Sequence, residues 1–348
     1  MILFHNDYSE GCHESILQRL QQTNLEQTAV YGTDLFCAAA AERIRSLCKD
    51  ASLSVHFLVG GTQTNLAVIA ASLRPHQAVL GVQTAHVNVH ETGAIEATGH
   101  KVVTLPSDDG KITARQIREI AYAQASDAEP EHAVQIKLVY ISNPTEMGTT
   151  YSLREMEEIA QVCREFGLYL YVDGARLGYA LAASDNDLQL PDLARLCDVF
   201  YIGGTKQGAL FGEAVVFSNK EIAKDFRYII KQRGGLLAKG WLLGKQFEAL
   251  FENGLYINLS QYANTQAERI REALLECGYQ LYVRCNTNQT FVILPNDLLE
   301  VIGKEFTYMV QETLDSNNSI VRFCTSWSTD RDGVSRLCQL IRNYKKGD

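Results

Sequence analysis

Proline is scarce, six in 348 residues, and no Pro-rich linker divides the chain. There is also no internal repeat, low-complexity tract or block of like charge. The nine cysteines are odd in number and none is spaced as a CxxC pair, so neither a disulfide framework nor a zinc site is indicated. They read as small buried hydrophobes. Basic charge is in deficit: 32 Lys and Arg face 41 Asp and Glu, a net charge of −9. That balance argues against nucleic-acid binding, which needs clustered cations to displace counterions. It leaves room for a local cationic pocket and a small substrate. No apolar run is long enough to span a bilayer, and Met1–Glu10 lacks the basic start and apolar stretch of a signal peptide. The expectation is a cytoplasmic protein without membrane or nucleic-acid partners.

What is present is a texture of short β-branched runs alternating with helical patterns. The runs Ser54–Val59, Ala78–Val82, Lys101–Leu105, Lys137–Ser142, Leu168–Val172, Val199–Ile202 and Glu213–Phe217 are almost wholly apolar. Strands with that character lie in a sheet covered on both faces. The clearest helix is Leu153–Phe166, with Ser152 as cap, Glu155 at the capping-box position and Gly167 after its end. The reading is α/β: a mostly parallel seven-stranded sheet with helices on both faces, over 35–250. A segment 1–34 precedes it. A smaller α+β C-terminal domain follows over 251–348, with a helix at about Gln261–Cys277, strands at Tyr279–Arg284 and Thr290–Leu294, a helix near Leu298–Ser316, a strand at Ile320–Cys324 and a last helix.

In an open α/β sheet, ligands bind beyond the carboxyl ends of the strands. Four such ends carry notable residues. The first strand runs into Gly60-Gly61-Thr62-Gln63-Thr64 and a helix, a start suited to an anion. Lys137–Ser142 ends in Asn143-Pro144-Thr145-Glu146. Leu168–Val172 ends in Asp173-Gly174-Ala175-Arg176, and a carboxylate there needs a partner to be buried. Val199–Ile202 ends in Gly203-Gly204-Thr205-Lys206, a lysine among small residues whose pKa desolvation would lower. Singly, each reads as a plain turn, a capping Asp or a loop lysine. Together they offer a phosphate cradle, a carboxylate for a pyridinium and an amine for an aldehyde, the three needs of pyridoxal 5′-phosphate (PLP). A dinucleotide-binding protein is disfavoured because no GxGxxG follows the first strand.

These segments, with Asn6-Asp7-Tyr8-Ser9-Glu10-Gly11, Tyr31-Gly32-Thr33-Asp34 and Thr84-Ala85-His86, resemble the fold-type I PLP-dependent enzymes. Within them, the chain is similar to the low-specificity threonine aldolases and β-eliminating lyases over nearly its whole length. The resemblance implies that Lys206 forms the Schiff base, Asp173 lies under the pyridine nitrogen and His86 stacks on the ring. Gly61 and Thr62 would hold the phosphate, with Asn143 and Thr205 also toward the cofactor and Arg176 toward either the cofactor's ring oxygen or the substrate carboxylate. Arg322 would bind the substrate carboxylate, and His132 would hold the substrate hydroxyl as a second histidine. Asn6 and Ser9 would approach the substrate, and Tyr31 would be offered to a neighbouring subunit's site. His90 competes with His86 for the stacking role, but the motif favours His86 and His90 reads as a hydrogen-bonded structural histidine. The family's Asn-Thr-His run is replaced here by Asn143-Pro144-Thr145-Glu146, which bears on hydroxyl recognition. Only Arg233 and Lys239 stand near Gly234-Gly235, where the family places an arginine on the neighbour's phosphate. The implied activity is retro-aldol cleavage of a β-hydroxy amino acid by a homo-oligomer, a dimer or tetramer. β-Elimination or transamination on another small amino acid is the alternative, and a catalytically idle PLP-binding scaffold is disfavoured by the intact Lys206, Asp173, Arg176 and Arg322.

Overall fold

A strand buried on both faces needs no polar alternation, and the strands that carry the site are of that kind. The computed structural model describes residues 1–344. Seven strands form one sheet: β1 (Ser54–Leu58), β2 (Gln77–Val82), β3 (Val102–Leu105), β4 (Gln135–Ser142), β5 (Tyr169–Asp173), β6 (Val199–Gly203) and β7 (Glu213–Phe217). All residues of β2, β6 and β7 are buried. The order across the sheet is β1-β7-β6-β5-β4-β2-β3. Strand β7 runs antiparallel to β1 and β6, and the remaining pairings are parallel. The carboxyl ends of β1, β2, β4, β5 and β6 therefore share one edge.

Helices cover both faces. They include α1 (Leu35–Cys48), α2 (Gly61–Ser72) directly after β1, α3 (Leu153–Glu165) and α4 (Trp241–Leu250). In α3 the capping box read from the sequence is present: Glu155 N–H donates to Ser152 Oγ at 3.3 Å and Ser152 N–H to Glu155 Oε2 at 2.8 Å. Helix α1 approaches α4 closely, because a side chain at Gly244 would come within 2.4 Å of the Cys37 nitrogen.

The 22-residue helix α5 (Leu255–Glu276) leads into a three-stranded antiparallel sheet ordered β9-β10-β8, made of β8 (Gln289–Pro295), β9 (Met309–Thr313) and β10 (Asn318–Cys324). Helix α6 (Arg331–Asn343) packs on α5. A second apolar core forms here from Ile270, Val292, Leu298, Phe323 and Leu337, and Phe4 of the N-terminal segment joins it. Two expectations fail in this half. Tyr279–Arg284 supplies only one bridge, Leu281 to Val292. The helix expected at Leu298–Ser316 is a short one, Asn296–Ile302, after which the chain turns at Gly303 and β-branched Val310 and Thr313 enter β9. Among the described residues, no helix is long and apolar enough to cross a membrane.

At the shared edge, β5 and β6 approach so closely that only glycine fits. A Cβ on Gly174 would stand 1.8 Å from the Tyr201 carbonyl oxygen, and one on Gly203 would stand 2.3 Å from that of Ala175. Gly174→Ala is expected to lower unfolding stability by more than about 3 kcal/mol, the upper range for overpacking. Urea denaturation of the purified variant measures it, and an unchanged midpoint would show that the edge is plastic.

Candidate active site

A cavity of about 1020 Å³ opens between the large sheet's carboxyl edge and the small sheet. Its walls include Lys206, His86 and Arg176 from the large sheet's side, Arg322 from β10, and Asn6 and Tyr8 from the N-terminal segment.

Asp173 ends β5 behind this wall and is 4% exposed. Both carboxylate oxygens accept two hydrogen bonds. Oδ1 takes Tyr201 Oη at 2.5 Å and the Ala175 N–H at 2.9 Å. Oδ2 takes Tyr140 Oη at 2.6 Å and Asn65 Nδ2 at 3.0 Å. Burial alone would raise its pKa. His86, the two tyrosine hydroxyls and the Ala175 N–H outweigh it and hold the carboxyl below its ordinary range, so Asp173 is an anion at neutral pH. The tyrosines are pushed far up by the same burial and by Asp173, so they stay protonated donors.

Lys206 follows β6 in a short turn, Thr205–Gln207. Burial, and then Arg176, depress its pKa, while Asp7, Asp173 and Glu213 pull the other way. Its ammonium lies 5.7 Å from the centroid of the Tyr8 ring. A buried amine eased toward its neutral form is a nucleophile for a carbonyl. Thr205 faces elsewhere: its hydroxyl donates to Glu213 Oε1 at 2.9 Å and accepts the Gly212 N–H at 3.0 Å. Thr205, expected toward the cofactor, thus seats Glu213, whose own pKa burial raises.

The first N–H groups of α2, from Gly61 and Thr62, have no intrahelical acceptor, since Thr64 N–H is the first to reach back, to Gly60 O. A Cβ built on Gly60 meets nothing within 4 Å, so the space before this helix end is open. A Cβ on Gly61 would lie 3.1 Å from Tyr201 Oη, which places the cradle beside the Asp173 network. Thr64 Oγ1, Thr84 Oγ1 and Asn143 Nδ2 are buried without a partner. Asn143 Oδ1 accepts the Tyr151 N–H at 3.2 Å, so only its amide nitrogen is free.

Arg176 forms a two-pronged pair with buried Asp7, Nε to Oδ2 at 2.7 Å and Nη2 to Oδ1 at 2.9 Å. Asn288 donates to the same carboxylate at 2.9 Å. Burial would raise the Asp7 pKa, but Arg176, Lys206 and Asn288 bring it down to about 2. Arg322 is oriented by Gln289 Oε1 and the His5 carbonyl, each at 3.0 Å, and its buried Nε has no partner. Asn6 joins the wall and accepts the Ser9 hydroxyl at 2.8 Å, whereas Ser9 itself is exposed and outside the wall.

His86 Nδ1 lies 2.7 Å from Glu91 Oε1, and Asn65 Nδ2 donates to that same oxygen at 2.7 Å. Asn65 thus joins the His86–Glu91 pair to Asp173. Glu146 lines the cavity, and its Oε1 accepts the His86 N–H at 2.9 Å and Ser142 Oγ at 2.7 Å. His90 is exposed on the cavity wall with its ring centroid 5.5 Å from that of His86, and its ring makes no hydrogen bond or ion pair among the described residues. The expectation of a hydrogen-bonded structural histidine is corrected.

His132 and Tyr31, like Ser9, are not brought to this cavity. His132 sits on an exposed turn, Pro130–His132, before β4. Strand β4 separates it from the working edge by about 25 Å at roughly 3.3 Å per residue. It holds no substrate hydroxyl within its own subunit. Tyr31 lines a separate small cavity with Asp34, His56 and Arg227. The sequence reading missed Asn65, Tyr140, Tyr201 and Glu91, and gave Asp7 no role. The tyrosines lie inside apolar runs and read as core, although a buried hydroxyl needs an acceptor.

An amine and a carboxylate anion at one sheet edge, an open helix start and unpartnered buried polar atoms fit PLP. Comparison with known proteins points the same way. The family described as beta-eliminating lyase matches residues 7–297. A low specificity L-threonine aldolase from Pseudomonas sp. is 30% identical over 345 residues, covering 97% of this chain and 96% of its own. The solved structure of a Leishmania major threonine aldolase superposes with a TM-score of 0.96 at 45% identity, covering 98% of this chain and 99% of its own. Aspartate aminotransferase from Thermus thermophilus, at 13% identity and a TM-score of 0.72, shares the fold.

The Asp7–Arg176 pair carries a pH signature. A carboxyl depressed from 3.8 to about 2 contributes about 2 kcal/mol to stability, present in full above pH 3.8 and lost as the pH falls through 2. Asp7→Asn is expected to be destabilised at neutral pH and to lose about 2 kcal/mol less than the parent between pH 5 and 2. Urea titrations across that range measure the difference, and parallel curves would remove the pair's assigned weight.

Proposed function

The chain belongs to the β-eliminating lyase family, and on that premise we propose that it is a PLP-dependent lyase cleaving the Cα–Cβ bond of threonine or allo-threonine to glycine and acetaldehyde. The observation that carries this reading is the pairing of a desolvated amine, Lys206, with a buried anion, Asp173, at one sheet edge, beside a cavity that Arg322 also lines. Lys206 would hold the cofactor's aldehyde, Asp173 its ring nitrogen, Gly61 and Thr62 its phosphate, and His86 a face of its ring. When bound, the cofactor supplies an electron sink for the pair left on Cα.

The chain's own groups do the rest. Asp173 keeps a proton on the ring nitrogen, and Tyr140, Tyr201 and Asn65 keep Asp173 from moving. Arg322, already aimed by Gln289 and the His5 carbonyl, takes the α-carboxylate and so fixes which Cα bond is presented for breaking. Asp7 holds Arg176 against the N-terminal segment, which brings Asn6 and Tyr8 to the cavity wall. The working form is read as a cytoplasmic homo-oligomer, a dimer or tetramer with shared sites. Its support is Tyr31, which stands outside its own subunit's active cavity with the Lys231 ammonium 4.7 Å above its ring.

Lys206→Ala is expected to lose the visible absorbance of lysine-bound cofactor together with turnover, and a variant that kept both would reject the assignment. Asp173→Asn should lower kcat by 100-fold or more, in the range of a lost electrostatic stabiliser of about 10²–10³, with little loss of fold by circular dichroism. The reaction itself is tested with L-threonine, L-allo-threonine and L-serine. Release of glycine and aldehyde supports the reading, whereas pyruvate and ammonia, or a keto acid, would replace it with elimination or transamination.

A further inference from the structure

Retro-aldol cleavage needs a base for the β-hydroxyl proton, and the residue expected to be that second histidine, His132, is at the wrong edge of the sheet. The cavity walls contain few alternatives. His5 has both ring nitrogens engaged, Nδ1 with Thr307 Oγ1 at 2.9 Å and Nε2 with Asn6 Nδ2 at 2.7 Å. His86 has Nδ1 held by Glu91 at 2.7 Å. Glu146 has its Oε1 held by both the Ser142 hydroxyl and the His86 N–H. Lys206 is committed to the cofactor on the reading above. His90 is different. Its ring faces the cavity beside His86, and neither nitrogen has a partner among the described residues.

We propose that His90 is a catalytic residue, the base that takes the proton from the substrate's β-hydroxyl. The inference rests on the retro-aldol reading of the same site. In the step, a ring nitrogen of His90 accepts the hydroxyl proton. The O–H electron pair becomes the second carbon–oxygen bond of the aldehyde. The Cα–Cβ bond breaks and leaves its pair on Cα, and a proton delivered to Cα completes glycine. His90 then gives up its proton to solvent through the open cavity mouth.

The surroundings suit this work. Partial removal from water first, then His86 from its own turn, Arg322 from β10 and Arg176 after β5 disfavour its charged form and lower its pKa from 6.5. At neutral pH the ring is uncharged and able to accept a proton. Arg322, the carboxylate holder, lines the same cavity as His90.

The test uses the PLP-loaded enzyme and His90→Ala. Two reactions are followed: L-threonine cleavage, and exchange of the glycine α-proton with deuterated water by NMR, which needs the cofactor but no hydroxyl base. His90→Ala is expected to lower kcat for threonine by about 10²–10⁴, the usual weight of a positioned base. KM, glycine exchange, cofactor absorbance and melting temperature should stay near parental values. The acid limb of the threonine pH profile should disappear, and added imidazole should restore part of the lost rate, since the emptied position opens on a 1020 Å³ cavity. In ¹⁵N-histidine-labelled holoenzyme, the His90 signal should titrate below 6.5. Threonine cleavage within threefold of parental in His90→Ala, or equal loss of cleavage and glycine exchange, overturns the proposal while leaving the function intact. A parental enzyme that exchanges glycine but releases no aldehyde overturns the retro-aldol reading itself.

Discussion

The site depends on one buried anion that has no direct cationic contact. Asp173 is taken from water by β5 and answered by neutral donors: two tyrosine hydroxyls, one amide and one backbone N–H. Removing a carboxylate from water carries an effective penalty of several kcal/mol even after relaxation. Hydrogen bonds to a charged group return roughly 1.5–3 kcal/mol each, so four of them match that penalty. The match holds only while β4, β5, β6 and α2 keep their places, because each supplies or seats a donor. Neutral donors also matter chemically. An arginine against Asp173 would compete with a ring nitrogen for the charge, whereas phenols and an amide leave that charge available.

The arginine nearest in sequence is instead spent elsewhere. Arg176 turns to Asp7 and makes a pair that is buried on both sides, with side-chain exposures of 12% and 0%. This ties residue 7 to residue 176 and, through Asn288, to the small sheet's neighbourhood. The N-terminal segment is stitched further by a two-residue parallel ladder, Ile2–Leu3 against Phe306–Thr307, and by Phe4 in the second core. The cavity is thus bounded by three parts of the chain that are remote in sequence. Arg322 can face Lys206 only because those ties hold.

Much of the fold was legible because buried parallel strands must be apolar runs. All seven strands of the large sheet lie where the runs indicated, with ends shifted by at most two residues. The edge residues Asp173 and Lys206 followed from strand direction alone. Legibility fell where burial stops dictating texture. Strand β9 is exposed along its whole length, so its sequence carries no alternation to separate it from a helix. His132 failed for a geometric reason that strand direction also contains: a residue just before a parallel strand stands at the amino edge, opposite the ligand. The tyrosines were hidden in the opposite way. Tyr140, Tyr171 and Tyr201 sit inside apolar runs and look like core, yet each hydroxyl is spent on a polar network no local pattern announces.

That network also explains how several acids coexist at one edge. Asp173 and Glu213 are buried, Glu146 lines the cavity, and each glutamate feels Asp173 as a like charge. The structure sorts them. Asp173 receives four donors and the influence of His86, and its pKa falls. Glu146 and Glu213 receive fewer, feel Asp173 as a like charge, and are pushed upward. Environments that drive neighbouring titratable groups apart assign them different chemical roles. Of these three acids, the one whose pKa is lowered is the one at the end of β5. Glu91 extends the same logic sideways: by holding His86 Nδ1 and sharing the Asn65 amide with Asp173, it couples the orientation of the wall histidine to the anion behind the wall. A disturbance at Glu91 should therefore reach both, although it touches neither substrate nor cofactor.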